Sequence, residues 1–165
     1  MSSNSPILHL VCGKIAAGKS TLAAQLSAHS STVLISEDVW LSRLFPDEIL
    51  TVDDYIRCSR RLRDAMGEHV GALLCTGVSV VLDFPANTVR IRRWMRGISD
   101  GAGVEHELHY IDVSDELCKA RQKKRNQDGG HEFAATESEF DLLATYFMPP
   151  TPDEGLNLTV HSLPE

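Results

Sequence analysis

The chain has no apolar run long enough to cross a bilayer, which argues against a helical membrane span. Its first residues, Met-Ser-Ser-Asn-Ser-Pro, lack the basic n-region of a secretory signal, so a cytoplasmic protein with no membrane partner is expected. The four cysteines, Cys12, Cys58, Cys75 and Cys118, include no C-x-x-C pair and no neighbouring histidine pattern of zinc-site spacing. They read as reduced, small apolar residues. Basic side chains are outnumbered, 16 Lys and Arg against 23 Asp and Glu, for a formal net charge of −7. That balance argues against a nucleic-acid partner held along its backbone, which needs a positive footprint, but it leaves room for a local basic pocket. There is no internal repeat and no low-complexity tract. A length of 165 residues, with 42% hydrophobic and 24% charged content, suits a single globular domain over 1–165.

What is present begins at residue 7. An apolar run, Ile-Leu-His-Leu-Val-Cys, leads into Gly13, Lys14, Ile15, Ala16, Ala17, Gly18, Lys19 and Ser20, which fits G-x-x-x-x-G-K-[ST]. In this motif backbone N–H groups wrap a nucleotide's phosphates, here extending to Thr21; Lys19 reaches the terminal phosphates and the Ser20 hydroxyl takes Mg²⁺. Leu22, Ala23, Ala24, Leu26 and Ala28 read as a helix whose positive end faces the same anion. Ala16 and Ala17 stand where many such loops carry glycine, and a Cβ at any position with φ > 0 would be strained.

Further apolar segments alternate with helical patterns: Thr32 to Ile35, Val78 to Phe84, His106 to Val113 and Leu156 to Val160. With the first segment they predict five short strands in a parallel sheet covered on both faces. Thr51 with Asp54 predicts a capped helix from about Val52 to Leu74, with Ile56, Leu62, Met66, Val70 and Leu73 as its apolar stripe. Arg57, Arg60, Arg61 and Arg63 crowd its first half. They read either as a solvated face paired with Asp53, Asp54 and Asp64 or as a pocket for a substrate anion. Arg90, Arg92, Arg93 and Arg96, after Asn87 and Thr88, read as surface. A helix from Ser114 to Gln127 begins with acids and turns basic at Lys119, Arg121, Lys123, Lys124 and Arg125, then ends at a Gly129-Gly130 hinge. Thr136 with Glu139 opens one more helix, which stops before Pro149-Pro150.

Open parallel sheets bind ligands at the carboxyl ends of their strands. The second strand ends in Glu37-Asp38 and the third in Asp83. Asp38 is the candidate base for an attacking hydroxyl, with Glu37 in reserve, although Asp38 could equally cap the helix carrying Trp40 and Leu44. Asp83 is a candidate Mg²⁺ ligand beside Ser20, or a group that orients the acceptor.

The phosphate loop, the Ser-Glu-Asp-Val-Trp turn, the Leu-Asp-Phe-Pro-Ala-Asn-Thr segment and the late Ala-Arg-Gln-Lys-Lys-Arg-Asn segment occur in an order that resembles one large group. The chain is similar to the P-loop kinases of the AAA_33 kind. These include zeta-type toxins, chloramphenicol phosphotransferase-like enzymes and the kinase domain of phage-type polynucleotide kinase. The resemblance implies an α/β three-layer P-loop sandwich with a five-stranded parallel sheet in the order 2-3-1-4-5 and a small lid at about 118–136. It also implies ATP as donor and Mg²⁺ as cofactor. An aspartate two residues before an aromatic is the family's base, which Asp38 and Trp40 match. Lid arginines contact the phosphates, and Arg121 and Arg125 fall in that stretch; the other reading of both is a solvent-facing basic helix. Leu41 stands where polynucleotide kinases often carry a basic residue, and no toxin-partner segment is evident.

The expected activity is therefore transfer of the ATP γ-phosphoryl group to a hydroxyl of a small-molecule acceptor. A nucleotide-binding ATPase or switch acting through a partner and a polynucleotide 5′-hydroxyl kinase are the alternatives.

Overall fold

A computed structural model describes residues 5–129 and 135–162. Strands β1 (Ile7–Cys12), β2 (Thr32–Ser36), β3 (Ser79–Pro85), β4 (Glu105–Asp112) and β5 (Leu158–Ser162) form one sheet, ordered β2-β3-β1-β4-β5, with every pair parallel. The expected order is met. The last strand starts two residues later than its apolar pattern suggests, because Leu156 packs against the core from the loop before it.

Helices α1 (Lys19–Leu26), α2 (Glu37–Leu44), α3 (Val52–Cys75), α4 (Val89–Ala102), α5 (Asp115–Asp128) and α6 (Glu137–Tyr146) connect the strands, with a short 3₁₀ turn at Pro152–Glu154. The starts of α3 to α6 are set by side chains. Thr51 accepts from the Asp54 N–H while the Asp54 carboxylate takes the Thr51 N–H, and Thr136 with Glu139 does the same for α6. Thr88 and Ser114 cap α4 and α5.

Strand alternation divides the sheet into two faces. Leu8, Leu10 and Cys12 point with Val80, Leu82, Phe84 and Leu108 into the larger core, closed by Leu62, Met66, Val70 and Leu74 of α3 and Met95 of α4. On the opposite face Val11 and Val81 meet Ala23 of α1, while Ile111 and Val113 meet Cys118 of α5 and Phe140 of α6. The result is a helix–sheet–helix sandwich. Cys12, Cys58 and Cys118 are buried as free thiols, and Cys75 is exposed. No helix among the described residues is long and apolar enough to cross a membrane.

Two expectations are corrected. The buried stripe of α3 runs through Cys58, Ser59, Leu62, Met66, Val70 and Leu74 and leaves Ile56 exposed. The first turns of this helix overhang a cleft rather than the sheet. Arg92, expected at the surface, is fully buried. Its Nε and Nη2 donate to the two Glu154 carboxylate oxygens at 2.7 and 2.8 Å, and its Nη1 donates to the carbonyls of Ala86 and Met148 at 2.9 and 2.8 Å. A guanidinium so completely paired tolerates burial. Arg96 adds a bond from Nη1 to the Glu154 carbonyl at 2.8 Å, whereas Arg90 and Arg93 are exposed.

Candidate active site

After β1 the chain crosses to one edge of the sheet, and after β3 it turns to the other. The strand order therefore reverses at the carboxyl end of β1, where open α/β sheets bind ligands. Residues 13–18 occupy this point, and α1 begins at Lys19 with Gly18 as its cap at φ 109°. Four features of the loop are informative. Ala16 sits at φ 60°, so the left-handed position falls on a residue with a Cβ, at a cost of about 1–2 kcal/mol. Gly13 admits no side chain cheaply, because a Cβ there would lie 3.2 Å from both the Ala17 Cβ and the Ile111 carbonyl oxygen. The Asn87 amide clamps Gly13, accepting from its N–H at 3.0 Å and donating to its carbonyl at 2.9 Å. Finally, Lys14 pairs with Asp115 at the start of α5.

Lys19 Nζ donates to the carbonyls of Gly13 and Lys14 at 2.6 and 2.7 Å. Burial pulls its pKa down, opposed first by the Asp83 carboxylate. The Ser20 hydroxyl donates to Asp83 Oδ2 at 3.0 Å. Asp83, nearly buried within β3, has its pKa raised by desolvation, against the pull of Ser20 and Lys19. Two hard oxygen donors 3.0 Å apart match adjacent corners of an octahedron with bonds of about 2.1 Å, the geometry Mg²⁺ demands. The residues present thus fit this cation.

A cleft of about 1440 Å³ opens from the loop. Glu37 and Asp38 both line it, in contrasting surroundings. Glu37 is buried, receives the Tyr55 hydroxyl at 2.5 Å and lies 3.9 Å from Arg63 Nη1. Desolvation pushes its pKa up to about 7, only partly offset by the Tyr55 hydrogen bond. Asp38 is exposed, close enough to Lys19 to act on it electrostatically. It is the second residue of α2, whose cap position is Ser36, so the capping alternative for Asp38 is not met.

The arginines divide. Arg57 is exposed and paired with Asp54 at 3.0 Å, and neither it nor Arg61 lines the cleft, whereas Arg60, Arg63 and Arg90 do. Arg121 and Arg125 also line it, with Arg121 Nη1 donating to the Ala17 carbonyl at 3.2 Å. Lys123 is exposed outside the cleft, Lys124 is exposed at its margin, and Lys119 pairs with Asp141 at 2.8 Å. The basic helix therefore turns one side inward. Of the expected lid at 118–136, Gly130 and residues up to 134 lie outside the described residues.

Asn87 as the clamp on Gly13 and Tyr55 as the donor to Glu37 were not expected from the sequence, and Arg63 was expected only within the group read as a solvated face or an anion pocket. Only weak signals existed for them. Asn87 follows Asp83 by four residues at a strand end, and Arg63 stands one helical step from Arg60.

No curated protein sequence matches the chain. Many solved structures share its fold, among them the following three. A Chloroflexus aurantiacus protein carrying a provisional kinase name aligns with a TM-score of 0.74 at 20% identity, covering 96% of this chain and 85% of that one. Kti12 from Chaetomium thermophilum, solved with ADP-AlF3, gives 0.72 at 16%, covering 95% and 89%. Mycobacterium tuberculosis APS kinase CysC, solved with AMPPNP and APS, gives 0.53 at 19%, covering 76% and 73%. The family model described as AAA domain, AAA_33, matches residues 8–150, and with this phosphate loop at the switch point of a 2-3-1-4-5 sheet the chain belongs to that family of P-loop proteins.

Proposed function

We propose that the protein is a kinase that moves the γ-phosphoryl group of ATP to a hydroxyl of a small acceptor carrying an anionic group. The observation that carries this reading is the cleft itself. It is lined by residues 15–18 of the loop, by Lys19 and by Ser20, which is bonded to Asp83, and equally by Asp38, Glu37 and the arginines Arg60, Arg63 and Arg90.

The loop N–H groups from Gly13 to Thr21 bind the phosphates, and Lys19 leaves its loop carbonyls to neutralise the terminal ones. Ser20 and Asp83 would hold Mg²⁺, which would offset the negative charge of the phosphates. Asp38 accepts the proton of the acceptor hydroxyl as that oxygen bonds to the γ-phosphorus. The bond from phosphorus to the β,γ-bridging oxygen breaks, and ADP leaves with the bonding pair. Arg121 and Arg125 stabilise the charge that develops on the transferring group. Arg60 and Arg90 attract the acceptor, and their charge favours an anion without choosing among anions.

The test is calorimetry with Mg-ATP followed by a transfer assay. Lys19→Ala should lose tight Mg-ATP binding, and unchanged affinity would sink the phosphate-loop assignment. Incubation of the parent protein with γ-labelled ATP and a metabolite extract should place label on a small anionic product. Label found only in free phosphate would favour an ATPase, and label on a 5′-hydroxyl oligonucleotide would favour a polynucleotide kinase.

A further inference from the structure

β1, β4 and β5 run side by side, with His9 opposite Glu107, Val11 opposite His109, His109 opposite Thr159 and Ile111 opposite His161. His9, four residues before the phosphate loop, shares with Glu107 and His109 of β4 the sheet face that α1 covers, and the cluster does not include Asp83. Among the described residues they are the only group of three or more such side chains whose ligand atoms converge. We propose that His9, Glu107 and His109 form a binding site for a divalent transition-metal ion, with Zn²⁺ the best fit and a fourth coordination position open.

His9 Nδ1 and His109 Nε2 are 3.3 Å apart, and Glu107 Oε2 is 3.6 Å from each. The centre of the circle through these three atoms lies about 2.0 Å from each, and points slightly above it stay within about 0.2 Å of the Zn–N and Zn–O bond lengths. Two imidazoles and one carboxylate also make a donor set that suits zinc.

The surrounding bonds fit the same assignment. If His109 ligates through Nε2, its Nδ1 carries the proton, and Nδ1 lies 3.0 Å from His161 Nε2, which can accept it. The second Glu107 oxygen, Oε1, accepts from the Thr159 hydroxyl at 2.8 Å and so leaves Oε2 to ligate. Outer bonds of this kind fix the tautomer and orientation of metal ligands. His109 is 5% exposed and Glu107 37% exposed by side chain, so the site is anchored within the sheet and open at its carboxylate.

The competing description is a histidine hydrogen-bond chain with no ion. Chelator-treated full-length protein is titrated with ZnCl₂ by calorimetry in the absence of nucleotide. Cys75→Ser is the parent, which removes the exposed thiol as a rival ligand. One ion per chain is expected, and CoCl₂ should give the visible bands of a four-coordinate site. Glu107→Gln and His9→Gln should each weaken zinc binding at least about tenfold, and Thr159→Val by about 10- to 100-fold. Ser20→Ala should leave zinc affinity unchanged, which separates this site from the Mg²⁺ site. Absence of stoichiometric binding by the parent, or equal affinity in parent, Glu107→Gln and His9→Gln, would overturn the proposal. Metal-free melting temperatures monitor folding. Should His9→Gln fail to fold, Glu107→Gln decides alone, because its amide oxygen can still accept from Thr159.

Discussion

Two adjacent carboxylates, Glu37 and Asp38, differ in what surrounds them rather than in what they are. Asp38 is exposed and lines the cleft within the field of Lys19, where a base for an acceptor hydroxyl is useful. Asp38→Asn should keep Mg-ATP affinity and lose transfer by about 100-fold or more, measured as turnover of an identified acceptor. Glu37 is buried beneath Tyr55, and its pKa is raised from 4.5 to about 7. Between those two values the folded state binds the proton that the unfolded state releases. Glu37 therefore makes stability fall as pH rises from 4.5 to 7, by up to about 3 kcal/mol. Glu37→Gln removes that proton. Urea unfolding followed from pH 4.5 to 8 should show a flatter profile and a more stable protein at the alkaline end. An unchanged slope would mean that Glu37 ionises as it does in water.

At the scale of elements, α5 shows how one helix serves two environments. Arg121 and Arg125 are four residues apart and so lie on the same side, toward the cleft, while Cys118 and Gln122 are buried and Lys123 faces solvent. Gln122 and Asn126 donate to the Ala135 carbonyl at 2.8 and 2.9 Å, holding the helix to the chain that leads into α6. Arg125→Ala should lower turnover by about 10-fold or more while shifting nucleotide affinity less, as expected for a group that meets charge in the transition state. Arg121→Ala should cost both, since Arg121 also bonds the phosphate loop at Ala17. Comparing kcat and nucleotide Kd for the two variants separates these roles. The helix and its cap were legible in Ser-Asp-Glu and in the run of basic residues. Which basic residues point inward was not, because that depends on how α5 is rotated against Ile111 and Phe140.

For the molecule as a whole, Arg92 ties together parts that are distant in sequence. Its bonds join the end of β3 at Ala86, the loop at Met148 and the turn at Glu154, and the Met148 N–H in turn donates to the Asn87 carbonyl at 2.8 Å. Asn87 then grips Gly13, so the buried ion pair stands behind the phosphate loop. Arg92→Met should destabilise the protein by about 3–5 kcal/mol, because it leaves Glu154 and two carbonyls short of a donor. Chemical denaturation measures this, and adding Glu154→Gln should recover part of the loss. Arginine bonding holds the Glu154 pKa below its usual value, so this support is present above pH 4.5 and is lost as pH falls through the depressed pKa. The sequence by itself determined the strand and helix pattern, the capping boxes, the phosphate loop and the acids at strand ends. Each rests on residues within a few positions of one another, where periodicity and capping chemistry act. Only the tertiary structure decided that Arg92 lies inside, that Arg60 and Arg63 rather than Arg57 and Arg61 face the cleft, and that His9 meets Glu107 and His109. Those outcomes follow from strand register and helix rotation, which join residues as many as 100 positions apart and leave no local mark in the chain.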